Sequence, residues 1–176
     1  MSAAAPDSME ALLARPLRYL HLDWDPALRA ITLRMRIRPI PCYSLAVLAE
    51  IGAVTAFLDA HPGAARHLLL LSDTPGVFNF GGDLALFVLL CRARDLASLR
   101  LYGRRCIAQV YWLHTAPLRG VHTTVVIQGD ALGGGLESAL PAQRVVMERG
   151  AQAGFPEILF NLFPGMGAWQ FTIRKA

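Results

Sequence analysis

Two stretches of this chain share one design, and that design sets the fold class. Each is a short apolar run, then a glycine-rich turn, then apolar residues at helical spacing. The first leads from His67-Leu68-Leu69-Leu70-Leu71 to Phe80-Gly81-Gly82-Asp83-Leu84. The second leads from Thr123–Gln128 to Leu132-Gly133-Gly134-Gly135-Leu136-Glu137. A short unbroken apolar run fits a strand buried in a parallel sheet. Parallel neighbours in turn need long crossovers, here helical. The chain therefore reads as an α/β domain.

The remaining segments agree. Arg18–Leu22 and Ala30–Ile37 alternate with a period of two around Asp23-Trp24-Asp25-Pro26, a β-hairpin pattern. Ser44 is placed to cap a helix to Ala60, with Leu45, Leu48, Ile51, Val54, Phe57 and Leu58 at helical spacing. Residues 72–83 read as a loop, and a long helical region follows from Leu84 to about His114 with a kink near Asp95. Arg144–Met147 reads as a strand. Phe163-Pro164-Gly165-Met166-Gly167 breaks the chain before a last helical segment. Residues 1–15 read as an Ala-rich, flexible leader and 16–176 as one domain, with no internal repeat and no linker.

Composition narrows the class. The 176 residues suffice for one domain with a sizeable core. They are 54% hydrophobic and only 17% charged, below the ~25% charged of an ordinary soluble domain. Either much surface faces partner subunits or part of the covering protein is absent. No window is apolar enough for a membrane span, and the start does not read as a signal peptide, so a cytoplasmic protein is expected. Cys42, Cys91 and Cys106 lack C-x-x-C spacing and read as buried thiols. Arg34, Arg36 and Arg38 share one strand face, either a solvated face or a site for a phosphate or acidic carrier. No aromatic-interleaved basic patch or helix-turn-helix pattern suggests nucleic-acid binding.

The chemistry concentrates in two of the chain's glutamates. Glu137 follows the second glycine cluster, and Glu157 stands in Gly154-Phe155-Pro156-Glu157. Paired carboxylates beside backbone that a ligand can approach closely are equipment for moving protons next to a carbonyl. Free N–H groups at the two helix starts could stabilise the oxyanion. Taken singly, either glutamate could equally serve a helix start. Neither a Rossmann nor a P-loop fingerprint is present.

These segments resemble the crotonase (enoyl-CoA hydratase/isomerase) superfamily. The run Gly154-Phe155-Pro156-Glu157-Ile158-Leu159-Phe160-Asn161-Leu162-Phe163-Pro164-Gly165-Met166-Gly167-Ala168 is similar to its diffusible signal factor synthases. The resemblance runs from about Arg18 to the last residue. It implies a crotonase-like ββα spiral core that lacks the C-terminal helical region, because family members continue through further helices that mediate trimer packing. It assigns Gly82 and Gly134 as oxyanion-hole donors and Glu137 and Glu157 as the acid/base pair. Glu157 would take the α-proton and Glu137 serve the departing hydroxyl, or the reverse.

Leu136, Phe155, Phe163, Met166 and Trp169 are candidates for lining an acyl tunnel, or plain core. The implied substrate is a 3-hydroxyacyl thioester on acyl carrier protein or coenzyme A, with no further cofactor and no metal. The implied reaction is dehydration to a cis-2-enoyl thioester and hydrolysis to a free unsaturated fatty acid used in quorum sensing. The alternatives are a truncated, non-catalytic remnant that acts by subunit association, and a generic enoyl-CoA hydratase.

Overall fold

The computed structural model of the chain describes residues 6–175. Its larger sheet has five strands in the order β1-β2-β3-β5-β7. β1 (Leu20–Asp25) and β2 (Ala30–Met35) form the expected antiparallel hairpin. β3 (His67–Ser72), β5 (His122–Ile127) and β7 (Arg144–Met147) then add in parallel. A second, three-stranded sheet holds β4 (Val77–Asn79), β6 (Asp130–Leu132) and β8 (Ala153–Gly154), again parallel.

Each of β3, β5 and β7 is thus followed by a short strand of the second sheet, and then by helical structure. After β3 and β4 come α3 (Leu84–Arg92) and α4 (Leu96–Thr115); after β5 and β6 comes α5 (Gly134–Ala139). After β7 and β8 comes a 3-10 turn, Pro156–Phe160. The ββα spiral is therefore present, and it is a structural repeat that sequence periodicity does not reveal. The short strands escape detection because two or three residues carry no readable alternation. Residues 72–83 are accordingly not all loop, since they contain β4.

The core sits between the larger sheet and helices α2 (Leu45–Ala60) and α4. Ile31, Met35, Val47, Val54, Phe57, Val125 and Ile127 are nearly or fully buried there. Ser44 caps α2, its Oγ accepting the Val47 N–H at 3.3 Å. Glu50 on that helix accepts the N–H groups of Arg18, Tyr19 and Leu20 at 2.9, 3.0 and 3.1 Å, which anchors the start of β1.

Four further expectations need correction. The helical region after Leu84 is two helices rather than one kinked helix. Arg94 turns to φ 54° and Asp95 starts α4 afresh, accepting the Ser98 N–H at 3.0 Å. The leader is partly structured: Met9–Leu13 form α1, capped by Ser8, and Leu12 is fully buried in the core. Residues 1–5 lie outside the described residues. Cys91 is exposed and Cys42 half-buried, so only Cys106 is a buried thiol. Finally, β3 is only partly buried: His67 is exposed and Leu69 and Leu70 are half-buried, while Leu68, Leu71 and Ser72 are enclosed.

Candidate active site

The first glycine loop hangs from a buried amide. Asn79, at the end of β4, is fully enclosed, and its Oδ1 accepts the Gly81 N–H at 2.7 Å. That bond holds Gly81 at φ 86°, a left-handed conformation that favours glycine. The segment before α2 grips the loop from outside. Phe80 donates its N–H to the Pro41 carbonyl at 2.8 Å, and Tyr43 donates to the Gly81 carbonyl at 2.7 Å. Below, the Tyr102 hydroxyl donates to the Tyr43 carbonyl and accepts the Asp83 N–H, both at 2.7 Å. Asp83 in turn caps α3 through the Leu86 N–H.

The second loop follows β6 and packs against the first. A Cβ on Gly135 would come within 2.0 Å of the Asn79 carbonyl oxygen, so no side chain fits there. A Cβ on Gly81 would reach 2.6 Å from the Gly134 nitrogen, and one on Gly134 would lie 3.4 Å from the Gly82 nitrogen. The Gly82 and Gly134 amides are therefore neighbours. Among the described residues neither N–H has a hydrogen-bond acceptor in the protein. Two adjacent unsatisfied donors can bind a single oxygen atom, and bind it more strongly as it gains negative charge.

The two carboxylates are in contrasting surroundings. Glu137, in the first turn of α5, is only 2% exposed. Its Oε1 accepts the Met166 N–H at 2.7 Å and the Ala168 N–H at 3.1 Å. Burial pushes its carboxyl above the usual range; the two N–H donors oppose that shift and the nearby Glu157 adds to it. Glu157, in the Pro156–Phe160 turn, leans over Gly133, where a Cβ would meet its Oε1 at 2.7 Å. Its Oε2 is buried and has no protein partner.

Both glutamates, Gly82 and Gly134 border one cavity of about 170 Å3. Of the residues proposed to line an acyl tunnel, Phe163 and Met166 border it and Leu136, Phe155 and Trp169 do not. Leu136 packs against the core instead, and Trp169 on α6 (Ala168–Lys175) is 75% exposed. The sequence reading missed Phe80, Phe87, Tyr102 and Leu162, which also border the cavity. Tyr102 gave no usable signal, since it falls in the buried stripe of α4 with Cys106 and Val110. Arg34 on β2 and Arg36, just after it, are paired with Asp23 and Asp73 at 2.9 and 2.6 Å.

The architecture matches solved structures. An enoyl-CoA hydratase from Shewanella pealeana superimposes with TM-score 0.79 at 17% identity, over 94% of this chain and 59% of that one. DspI of Pseudomonas aeruginosa gives 0.73 at 24% identity, over 88% and 59%. The chain has the crotonase fold. AtuE of Pseudomonas aeruginosa gives 0.74 at 25% identity, over 89% of this chain and 58% of that one.

In sequence, the chain is 35% identical over 108 residues to the fatty acid oxidation complex subunit alpha of Pseudomonas savastanoi. That match spans 60% of this chain and 14% of the relative. The corresponding Vibrio cholerae subunit is 30% identical over 123 residues, 69% of this chain and 16% of that one. No family model matches. The chain thus spans under two thirds of the solved structures and a small part of the curated relatives. Among the described residues, no helix is long and apolar enough to cross a membrane.

Proposed function

We propose that this crotonase-fold chain dehydrates a 3-hydroxyacyl thioester to a cis-2-enoyl thioester and hydrolyses that to the free unsaturated fatty acid. The observation that carries the reading is the contrast between the two glutamates across the cavity bordered by the two free amides. A buried carboxyl with its titration pushed up suits a proton donor, and one with an unpartnered oxygen suits a base.

The first half begins with Glu157 as carboxylate and Glu137 protonated. Glu157 removes the α-proton, and the electron pair forms an enolate whose oxygen lies between the Gly82 and Gly134 N–H groups. The enolate collapses to the α,β-double bond, and the β-hydroxyl leaves as water with the proton from Glu137. Glu137 is then ionised and Glu157 protonated. In the second half Glu137 takes a proton from water as its oxygen attacks the thioester carbonyl. The same two amides hold the oxyanion. The thiol leaves with the proton from Glu157, and both carboxyls return to their starting states. No residue beyond the pair is required for proton balance.

The substrate is carried on acyl carrier protein or coenzyme A, and the acyl chain lies against Phe163 and Met166. Met166 also borders a second, apolar cavity of about 60 Å3 toward Tyr43, Leu113 and Ser138, where a longer tail would continue. The setting is cytoplasmic and the product serves as a signal. With the C-terminal helices of the family present, the protein would form a trimer-type homo-oligomer; the exposed Ile158, Leu159, Phe163 and Trp169 around the Pro156–Phe160 turn and α6 are apolar surface that such packing would cover.

A second reading, hydration of an enoyl-CoA alone, is favoured by the several structural neighbours that are enoyl-CoA hydratases. It uses the first half in reverse. The test is mass spectrometry after incubating the chain with 3-hydroxyacyl carrier protein and, separately, 3-hydroxyacyl-CoA. Free 2-enoic acid from the native chain and none from Glu157→Gln supports the proposal. A 2-enoyl thioester without free acid selects the hydratase reading, and no conversion of either substrate overturns both.

A further inference from the structure

The surface of α3 and α4 is built differently from the rest of the chain. Between Leu84 and Thr115 there are five arginines, Arg92, Arg94, Arg100, Arg104 and Arg105, against one carboxylate, Asp95. Twelve basic and twelve acidic residues remain elsewhere, so this hairpin carries the whole formal net charge of +4. All five arginines are exposed. Among the described residues none of them forms an ion pair, whereas Arg34, Arg36 and Arg119 all do. Asp95 does not offset them, because its carboxylate is taken up in capping α4.

The spacing gives this charge a shape. Arg100, Arg104, Ile107 and Tyr111 recur three or four apart and form one exposed stripe along α4. Ile107 and Tyr111 are 51% and 63% exposed, and α3, which buries no residue, adds Val88 and Leu89 at 46% and 63%. A surface of unpaired guanidinium groups around apolar patches fits an acidic protein partner with a few apolar contact residues. The placement links it to the cavity. Leu84 and Phe87, in the first turn of α3, border that cavity, and Arg92 ends the same helix ~12 Å further along.

We infer that the α3–α4 hairpin is the docking surface for an acidic carrier protein, which delivers its thioester-bound acyl group along α3 into the cavity. The inference rests on the thioester reading above. The carrier's acidic face lies on Arg100 and Arg104, and the arginines act in binding only. Coenzyme A thioesters, which have no protein to dock, make no use of them.

The experiment uses the full chain. Fluorescence anisotropy measures binding of labelled 3-hydroxydodecanoyl acyl carrier protein to Glu157→Gln, which holds substrate without turnover. Adding Arg100→Glu and Arg104→Glu should weaken binding about tenfold or more, with the native Kd rising steeply with salt. Arg100→Lys with Arg104→Lys keeps the charge and should retain most of the affinity, which separates docking from misfolding. In the catalytic background the charge reversal should raise KM for the carrier thioester and leave kcat and the KM for the matching CoA thioester unchanged.

Equal losses on both thioesters, or none on the carrier, overturn the inference. So does a reversal that only abolishes binding to vesicles containing phosphatidylglycerol, or that only changes the oligomeric state. If the native chain binds the carrier through these arginines yet converts neither thioester, the docking surface stands and the catalytic reading falls.

Discussion

Glu137 is the residue whose environment most directly couples function to stability. Its carboxyl titrates above its ordinary value of 4.5, mainly because it is buried. The folded chain therefore holds that proton more tightly than the unfolded chain. The resulting stabilisation is fully present below the unfolded value and is lost as pH rises through the folded one. Glu137→Gln keeps an acceptor for Met166 and Ala168 while removing the buried titratable group. It should be inactive yet more stable than the native chain at neutral pH, with a flatter stability profile above pH 4.5. Urea melts across that range check this; an unchanged profile would show that Glu137 is not the titrating group. Gly133→Ala tests the other carboxylate. Its Cβ would meet Glu157 and its φ of 53° disfavours a side chain, so activity should fall at least ~100-fold, as for loss of one oxyanion-hole donor. Both glutamates were legible because glycine and proline frame them in sequence. Tyr102 and Asn79 were not, since a single polar residue in an apolar context looks the same whether it packs or positions a loop.

At the scale of elements, the two glycine loops are held in contact by bonds rather than by their own conformational preference. Asn79→Ala would leave the Gly81 N–H buried and unpaired, at a cost of about 1–3 kcal/mol. It should also lower kcat, because the Gly82 amide moves with the loop. A variant that lost stability but kept native kcat would show that Asn79 does not position the loop. Ser138 plays a comparable part from α5, with its hydroxyl 2.7 Å from that of Tyr43 and donating to the Gly135 carbonyl at 2.8 Å. The helices, the long strands and both glycine turns follow from apolar spacing and capping residues. The second sheet does not follow, because β4, β6 and β8 are two or three residues each and are fixed by contact between successive turns of the spiral. The same applies to the break at Arg94, where the apolar pattern runs on and only a local φ near 54° separates two helices.

Across the whole molecule, the segment Ser8–Leu13 contributes to the core rather than trailing from it. Composition alone suggested a flexible leader, because alanine and small polar residues dominate its first positions. The physical reason for the difference lies in one side chain. Leu12 is fully enclosed in the main hydrophobic cluster, and Ser8 caps its short helix by accepting the Ala11 N–H at 3.1 Å. A five-residue helix is too short to persist by itself, so burial of Leu12 must hold it. Leu12→Ala should then cost about 2–5 kcal/mol, the usual range for emptying a buried leucine site. Removing residues 1–15 should cost at least as much, since it also exposes the partners of Leu12. Substitutions at the exposed Leu13, one position on, should cost far less. Chemical denaturation of the three variants settles the point. If the deletion is neutral, the segment is a leader after all; if Leu12→Ala reproduces most of the deletion's cost, one anchoring side chain ties the N-terminal segment to the spiral.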